Sequence, residues 1–422
     1  MRIHRLTLEN FRGFERETFN LNASFTAAIG DNGRGKSTLL HALRIATGTF
    51  FLGLPNTPRK HISSEEDIRR VFNYTSKQYE YITPTLVEAE GEINGSGRLI
   101  WRRSISVYGK NTSSKKTDIG NIKSLAEKYS RSINKDNRPL LPVIAYFGVR
   151  HMGNKIAQRK RTKSKRVLIR DGYYNALGQK SYESAFTEWL YNYDTSLASG
   201  AEFEGTREAM FEAIEKAIPY LKNLNFDRFY FQFEADVCIE GQPERKLQHQ
   251  HMSDGVKRML DIVADIAYRC VILNGFKGKN AIIESEGIVM IDELDMHLHP
   301  NWQRQIVNNL KVAFPKIQFV VTTHSPFIVQ SLNADELINL DIPSDVAYKD
   351  LPLQVIATEV MGVESEFSQE NQQKYELAKD ILGINEYSKE LTLEKISAIS
   401  DPGLRAFLEL QYRTNKSQNA SD

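Results

Sequence analysis

The stretch Gly287-Ile288-Val289-Met290-Ile291-Asp292-Glu293 is a short apolar run that ends in two adjacent carboxylates. A continuous apolar run of this length is typical of a buried strand. Because an uncompensated carboxylate is costly to bury, two acids at the end of such a strand are rarely a structural accident. The stretch therefore predicts an α/β fold in which one strand presents two acids at a functional site.

A second apolar run ends in a histidine. The segment Phe319-Val320-Val321-Thr322-Thr323-His324-Ser325-Pro326 predicts another buried strand, with His324 at its end. A lone histidine is more often a satisfied core residue, but this position directly after a strand favours a functional one. Upstream, Met252-Ser253-Asp254-Gly255-Val256-Lys257-Arg258 opens an amphipathic run that continues through Tyr268 and predicts a helix.

A glycine-rich loop lies far upstream of these segments, at Gly30-Asp31-Asn32-Gly33-Arg34-Gly35-Lys36-Ser37. Residues 24–29 predict a buried strand before it, and residues 38–46 predict a helix after it. This strand–loop–helix order is the context that a phosphate-binding loop requires, and it disfavours a chance glycine-rich turn. Lys36 would reach the β- and γ-phosphates of a nucleotide, and the Ser37 hydroxyl would bind Mg²⁺.

Composition limits the class of protein. The chain has 422 residues, 41% of them apolar, and a formal net charge of +2, so a nucleic-acid surface would have to be a local patch. Cys238 and Cys270 lack metal-type spacing and fit a reducing, cytoplasmic compartment. No apolar run approaches the roughly 20 residues that span a bilayer, and no signal peptide is expected. A separate transmembrane subunit remains open.

Taken in order, the loop, the helix opening at Met252, the acid pair and the histidine resemble the ABC-type ATPases, in the soluble branch that includes the SMC and RecF proteins. The resemblance implies a P-loop ABC-type ATPase fold with a flanking antiparallel β-sheet, a short helical insertion and a small helical C-terminal extension. It also implies ATP and Mg²⁺ as cofactors.

The resemblance assigns roles to single residues. Lys36, Glu293 and His324 would be catalytic, with Glu293 polarising the attacking water and His324 sensing the γ-phosphate. Ser37 and Asp292 would hold Mg²⁺. The remaining nucleotide-binding residues would be Arg12, Gly30, Asn32, Gly33, Gly35, Thr38, Ser253, Gly255 and Asp295.

Three of these residues imply a second copy of the chain. Ser253 and Gly255 would bind the γ-phosphate of ATP held by another protomer, and Asp295 would cross the dimer interface. Two alternatives stay open for other residues. Arg12 is either a nucleotide contact or a surface arginine beside a turn. His297 and His299 form a His-x-His pattern that suggests a metal site, although such a segment is common after the acid pair in this branch.

The sequence predicts four regions: an ATPase lobe at 1–110, a basic loop and helical insertion at 111–225, a second ATPase part at 226–345, and a helical extension with a disordered tail at 346–422. Finer expectations are an edge strand at 2–8, a helix near 64–73, a hairpin at 85–108 and a strand over 229–237. Aromatic and aliphatic residues at helical spacing around Trp189 and Ile214 predict the core of a helical subdomain rather than a ligand pocket.

The segment 155–170 carries eight cations and no acid. It would contact the phosphates of a nucleic acid, or it is a solvated loop. Its cations are Lys155, Arg159, Lys160, Arg161, Lys163, Lys165, Arg166 and Arg170. The glutamine of the family's Q-loop is left unassigned, because the nearest, Gln158, lies eleven residues beyond Phe147.

The layout as a whole is similar to the PtuA ATPases of Septu-type and retron-associated antiphage defence. That resemblance implies a homo-oligomer, at least a dimer at the ATP sites, that controls a separate HNH nuclease (PtuB-like). Two rivals are a RecF-like DNA repair clamp that uses the basic segment, and an ATPase with intrinsic nuclease activity in its last roughly 80 residues.

Overall fold

The computed structural model forms two compact units, Met1–Leu353 and Gln354–Asp422. The residues it describes are 1–110, 112, 115–133, 138–149, 167–178, 183–198, 200, 204–238, 243–341, 349, 351–362, 396, 402, 405, 406, 408 and 409. The basic segment 155–166, Gln158 and the tail 414–422 lie outside this set, and so does the side chain of Arg170. In the part of the chain so described, no helix is long and apolar enough to cross a membrane.

The first unit combines strands and helices throughout. Its strands are β1 (Arg2–Phe11), β2 (Phe14–Asn20), β3 (Phe25–Ile29), β4 (Arg70–Asn73), β5 (Gln78–Tyr81), β6 (Thr85–Glu92), β7 (Leu99–Ile105), β8 (Val143–Phe147), β9 (Leu221–Asp227), β10 (Gln232–Val237), β11 (Arg245–Gln248), β12 (Gly287–Ile291), β13 (Ile317–Thr322) and β14 (Leu337–Asn339). Its helices are α1 (Lys36–Gly48), α2 (Lys116–Ser132), α3 (Val167–Gly172), α4 (Glu183–Ala198), α5 (Thr206–Ala217), α6 (Asp254–Asn274), α7 (Ala281–Glu284), α8 (Pro300–Ala313) and α9 (Pro326–Gln330).

A parallel five-stranded sheet forms the centre of this unit, in the order β14-β3-β13-β12-β8. Four of its strands, β3, β8, β12 and β13, are buried along their whole length, as their continuous apolar sequences predict. Ile291 pairs with Val321 on one side and with Phe147 on the other. Because these three strands end level with one another, the residues that follow them meet at one edge of the sheet.

A second, antiparallel sheet flanks the first, in the order β2-β1-β6-β7. The expected edge strand at 2–8 is wrong, since β1 pairs with β2 on one side and with β6 on the other. Polar residues of β1 are accommodated because one face of an antiparallel sheet can stay accessible to solvent. The hairpin predicted at 85–108 is present as β6 and β7, with the turn at Asn94 and Gly95.

Two local predictions are wrong, and in both cases an aspartate side chain sets the backbone. The expected helix near 64–73 is a turn followed by β4, because the Asp67 carboxylate accepts the Ser63 N–H at 2.8 Å. The expected strand over 229–237 begins only at Gln232. The Asp227 carboxylate accepts the N–H groups of Phe229 and Tyr230 and closes a turn there. Such local bonds compete with regular secondary structure.

The helical residues of the predicted insertion pack as a core. Phe186, Trp189, Leu190 and Tyr193 of α4 are each at most 2% exposed. The Trp189 ring lies 6.1 Å from the ring of Tyr268 on α6. The core interpretation of these residues is therefore confirmed. The predicted insertion at 111–225 is not entirely helical, because it also contains β8, a strand of the central sheet.

The packing of β12 against β8 gives a testable prediction. A Cβ atom at Gly287 would lie 2.1 Å from the carbonyl oxygen of Val143, so Gly287→Ala must push the two strands apart. We expect a loss of about 1–3 kcal/mol in the free energy of unfolding, measured by urea denaturation. Gly13→Ala is the control, because nothing lies within 4 Å of its added Cβ. Equal stability of the two variants would contradict the tight strand approach.

Candidate functional site

The candidate site lies at the carboxyl edge of the central sheet. The chain leaves β3 into the loop 30–37, leaves β12 at Asp292 and leaves β13 at Thr323. The Ser37 hydroxyl donates a hydrogen bond of 3.3 Å to Asp292 Oδ1. The glycine-rich loop and the acid pair, which are 255 residues apart in sequence, therefore share one site.

The loop folds around its own lysine. Lys36 Nζ donates hydrogen bonds to the carbonyl oxygens of Gly30 and Asp31, at 2.5 and 3.0 Å. Burial lowers the pKa of Lys36, although the carboxylates of Asp341 and Asp31 act in the opposite direction. The ammonium group is thus fixed at the centre of the loop.

A ring from the antiparallel sheet closes the loop on one side. Gly35 has a φ of 108°, and a Cβ atom there would lie 2.4 Å from the ring of Phe14 in β2. Only glycine meets both conditions. Phe14 therefore fixes the backbone directly before Lys36.

The other residues predicted in the loop occupy different environments. Asn32, Gly33 and Ser37 are exposed, Gly30 and Thr38 are half-buried, and α1 begins at Lys36. Backbone N–H groups in the first turn of a helix lack partners within the helix, so this end of α1 suits an anion. The binding roles of these five residues stay predictions.

Thr322, the last residue of β13, holds the acid pair. Its hydroxyl donates to Asp292 Oδ1 at 2.6 Å and accepts the backbone N–H of Glu293 at 2.8 Å. Glu293 has a φ of 50°, which is uncommon for a residue that carries a Cβ. Asp292 is buried, whereas Glu293 is half-buried. The turn therefore places two adjacent carboxylates in different environments.

Asp295 orders the segment that carries the histidine. Its Oδ1 oxygen accepts the Thr323 hydroxyl at 2.6 Å and the backbone N–H of His324 at 3.2 Å. The Ser325 hydroxyl donates to Gln303 of α8 at 2.5 Å. The backbone of His324 is held in this way while the residue itself stays exposed.

The N-terminal part of helix α6 contacts the acid pair and the segment that follows it. A Cβ atom at Gly255 would lie 2.2 Å from the carbonyl oxygen of His297, so the two backbones are in direct contact. The buried guanidinium of Arg258 donates to the Asp292 carbonyl oxygen at 2.9 Å. Ser253 is the exposed N-cap of α6, and its side chain makes no capping hydrogen bond.

Arg12 points to a different cluster. Its Nε and Nη2 atoms each lie 2.8 Å from Asp67 Oδ1, and His41 Nε2 lies 2.9 Å from the same oxygen. Asp67 and His41 are buried, whereas the Arg12 side chain is 28% exposed. Contact between Arg12 and a nucleotide stays a prediction. Its partner in the structure is Asp67.

Two histidines near the acid pair have structural contacts. His299 caps α8, where its Nδ1 atom accepts the Asn301 N–H at 3.3 Å, and the His297 carbonyl packs on Gly255. Across the described residues, no three His, Cys, Asp or Glu side chains form a group that could hold a metal ion. His299 therefore has a capping role, whereas His297 contacts Gly255 only through its backbone and is otherwise exposed.

Sequence reasoning missed three residues that shape the site. Thr322 and Arg258 fix the acid pair, and Asp341 holds the loop. The Asp341 carboxylate accepts the Asp31 N–H at 2.7 Å and pairs with Arg34 Nε at 2.8 Å. Thr322 had a recognisable signal, because this hydroxyl residue directly precedes the Thr323-His324 dipeptide. Asp341 had no such signal, because it follows a short strand and belongs to no motif.

This geometry defines a class of protein. An AAA ATPase domain model matches residues 1–329, so the chain belongs to that family of ATPases. Two kinds of named protein are similar to this chain. It is 27% identical over 393 residues to the "Retron Vc95 probable ATPase" of Vibrio cholerae serotype O1 biovar El Tor, covering 80% of this chain and 73% of the relative.

The second kind of relative is named Septu protein PtuA. The protein from Bacillus mycoides (strain KBAB4) is 28% identical over 314 residues, which are 74% of this chain and 35% of PtuA. The match therefore spans about a third of that relative. Among solved structures, the SMC head domain from Thermotoga maritima matches with a TM-score of 0.43 and 14% identity, over 82% of this chain and 97% of that one.

The role of Thr322 can be tested with a nearly isosteric change. Thr322→Val leaves the Glu293 N–H and the Asp292 carboxylate without their shared partner, so we expect a loss of about 1–3 kcal/mol in stability. Because the acids would shift, ATP hydrolysis should fall by about 10²-fold. Thr47→Val is the control, since this buried hydroxyl bonds only carbonyls of its own helix. Equal hydrolysis by both variants would contradict the role of Thr322.

The His41 cluster predicts a pH dependence of stability. Burial lowers the pKa of His41 below its usual value of 6.5, although the nearby Asp67 carboxylate acts in the opposite direction. The unfolded chain therefore binds more protons just below pH 6.5, and stability should decrease as the pH falls from 6.5 to 5. His41→Gln should reduce the slope in this part of a pH series of urea denaturations. The slope that remains comes from other buried groups, such as the Met1 amino group, whose pKa burial lowers to about 5. An unchanged acid slope would rule out His41 as the cause.

Proposed function

We propose that this chain binds ATP with Mg²⁺ at the carboxyl edge of the central sheet and hydrolyses it there. The observation that carries the proposal is the Thr322 hydroxyl, which holds Asp292 beside Ser37 and orients the backbone of Glu293. In this proposal Lys36 exchanges its bonds to loop carbonyls for the β- and γ-phosphates.

The donor set next to Lys36 fits a magnesium ion. The Ser37 hydroxyl and the Asp292 carboxylate supply oxygen atoms 3.3 Å apart, and oxygen is the ligand type that Mg²⁺ prefers. When bound, the ion would neutralise charge on the β- and γ-phosphates. Arg258, which donates to the Asp292 carbonyl, would keep the backbone of this ligand in place.

Glu293 is the proposed general base and His324 the proposed sensor of the γ-phosphate. A base must combine a fixed position with access to water. The hydrogen bond from Glu293 N–H to Thr322 fixes its backbone, and the residue is only half-buried. His324 is exposed, and Asp295 holds its backbone N–H.

The proposal includes a second copy of the chain. Ser253 lies exposed at the N-terminal end of α6, where helix N–H groups suit a phosphate, and its hydroxyl is not used for capping. Gly255 brings this end of α6 against the backbone after Asp295. Two copies arranged head to tail would place Ser253 and Gly255 of one on the γ-phosphate held by the other.

The proposed biological role is control of a separate HNH nuclease in retron- or Septu-type antiphage defence. Support comes from relatives named as retron ATPases and as Septu protein PtuA. In this role the nucleotide state of the ATPase is the switch and the nuclease is the effector. Contact with nucleic acid through the basic segment 155–170 belongs to the rival proposal of a RecF-like DNA clamp.

Glu293→Gln tests the ATPase proposal. The amide cannot take a proton from water, so hydrolysis should fall by about 10²-fold or more while ATP binding persists. A closed oligomer should then accumulate with ATP and Mg²⁺, which mass photometry would detect. Normal turnover by this variant would overturn the assignment of the base.

The same samples discriminate the proposed role from its rivals. An ATP-dependent assembly that takes up an HNH protein supports the defence role, whereas a dimer that captures duplex DNA alone indicates a repair-type clamp. Ser253→Arg, combined with Glu293→Gln, is the control. This exposed substitution should prevent the assembly without preventing ATP binding, and an unchanged assembly would overturn the head-to-tail arrangement.

A further inference from the structure

A cavity of about 630 Å³ lies between α8 and α9, and none of the residues proposed to bind ATP lines it. Its volume lies within the range of pockets that bind small organic ligands. The lining is mainly polar and cationic. Among the residues that the structure describes, the lining consists of Arg304, Val307, Asn308, Lys311, Phe327, Gln330, Ser331, Asn333 and Lys349.

The charges in this cavity favour an anion. Lys311 is compensated by the buried carboxylate of Glu336, which lies 2.5 Å from its ammonium group. Arg304 is different, because no carboxylate among the described residues forms an ion pair with it. Lys349 is exposed at the rim. Of the described lining residues, Lys311 is thus neutralised by a carboxylate, whereas Arg304 is not.

An aromatic ring lies next to these cations. The guanidinium of Arg304 lies 4.9 Å from the centre of the Phe327 ring, and its Nη1 atom donates to Gln330 Oε1 at 3.2 Å. These contacts fix the orientation of the guanidinium and leave other N–H donors for a ligand. A phosphate group and a planar ring could therefore be bound side by side.

We propose that this cavity is a second ligand site, separate from the ATP site, and that its ligand is a nucleoside monophosphate. Arg304 and Lys349 bind the phosphate, and the base stacks on the face of the Phe327 ring opposite the Arg304 guanidinium. Amide groups of Asn308 and Gln330 offer donors and acceptors for the sugar and the base edge. The phosphate, the sugar and the base of such a ligand each have a complementary protein group in this cavity.

The site is connected to the ATPase machinery through the two helices that form it. The α8 helix follows the turn of Asp295, and α9 follows His324. The bond between Gln303 and Ser325 joins their first turns, and the bond between Arg304 and Gln330 joins them again at the cavity. A ligand on Arg304 therefore contacts both helices that leave the ATP site.

The test is calorimetric titration of the full chain carrying Lys36→Ala, which weakens the ATP site. The probes are AMP, GMP, CMP, UMP and inorganic phosphate. At least one nucleotide should bind one to one, with the same affinity as for the unmodified chain. Inorganic phosphate should bind about tenfold more weakly, because it lacks the stacked base. Failure of all four nucleotides to bind more tightly than about 1 mM would overturn the proposal.

Matched variants locate the binding. Arg304→Glu and Phe327→Ala, each in the Lys36→Ala chain, should weaken nucleotide binding by about tenfold or more. Lys316→Glu makes the same charge change at an exposed position outside the cavity and should have no effect. Binding that is unchanged by both cavity variants, or phosphate binding as tight as nucleotide binding, would overturn the assignment. Neither result depends on ATP hydrolysis.

Discussion

Two adjacent carboxylates repel each other and lose hydration when they approach a protein core, and the Thr322 hydroxyl is the group that resolves this conflict. It donates a hydrogen bond to Asp292 and accepts one from the N–H of Glu293, so one side chain fixes an acid and the backbone of its neighbour. The backbone changes direction at Glu293, which has a positive φ. Everything else at the site is arranged relative to this turn, including Ser37 on one side and Arg258 on the other.

Direct backbone contacts link the turn to the rest of the molecule. The α6 helix meets the carbonyl of His297 at Gly255, and β12 meets β8 at Gly287. Neither Gly255 nor Gly287 has a side chain that could move to accommodate a shift of the neighbouring backbone. Small movements of α6 must therefore be transmitted to the segment after the acid pair, since packed interiors deform little.

The structural features that could be predicted from the sequence are those encoded by a local pattern of residues. The apolar runs ending at Asp292 and His324 gave buried strands, and the loop 30–37 lies between a strand and a helix as expected. Predictions failed where a single side chain redirects the backbone, as Asp67 and Asp227 do. Asp341 and Asp31 are 310 residues apart in sequence, so only the folded chain brings the Asp341 carboxylate into contact with the loop. No period or motif encodes such a contact.

The contact between Phe14 and Gly35 joins two sheets that could otherwise be regarded as separate layers. Phe14 belongs to the antiparallel sheet, yet its ring packs against the glycine-rich loop at Gly35. The loop therefore depends on a hairpin that contributes none of the residues assigned to catalysis. A minimal ATPase fragment cut down to the parallel sheet and its helices would lack this contact. The antiparallel sheet thus shapes the glycine-rich loop, and the two sheets would have to be engineered as one part.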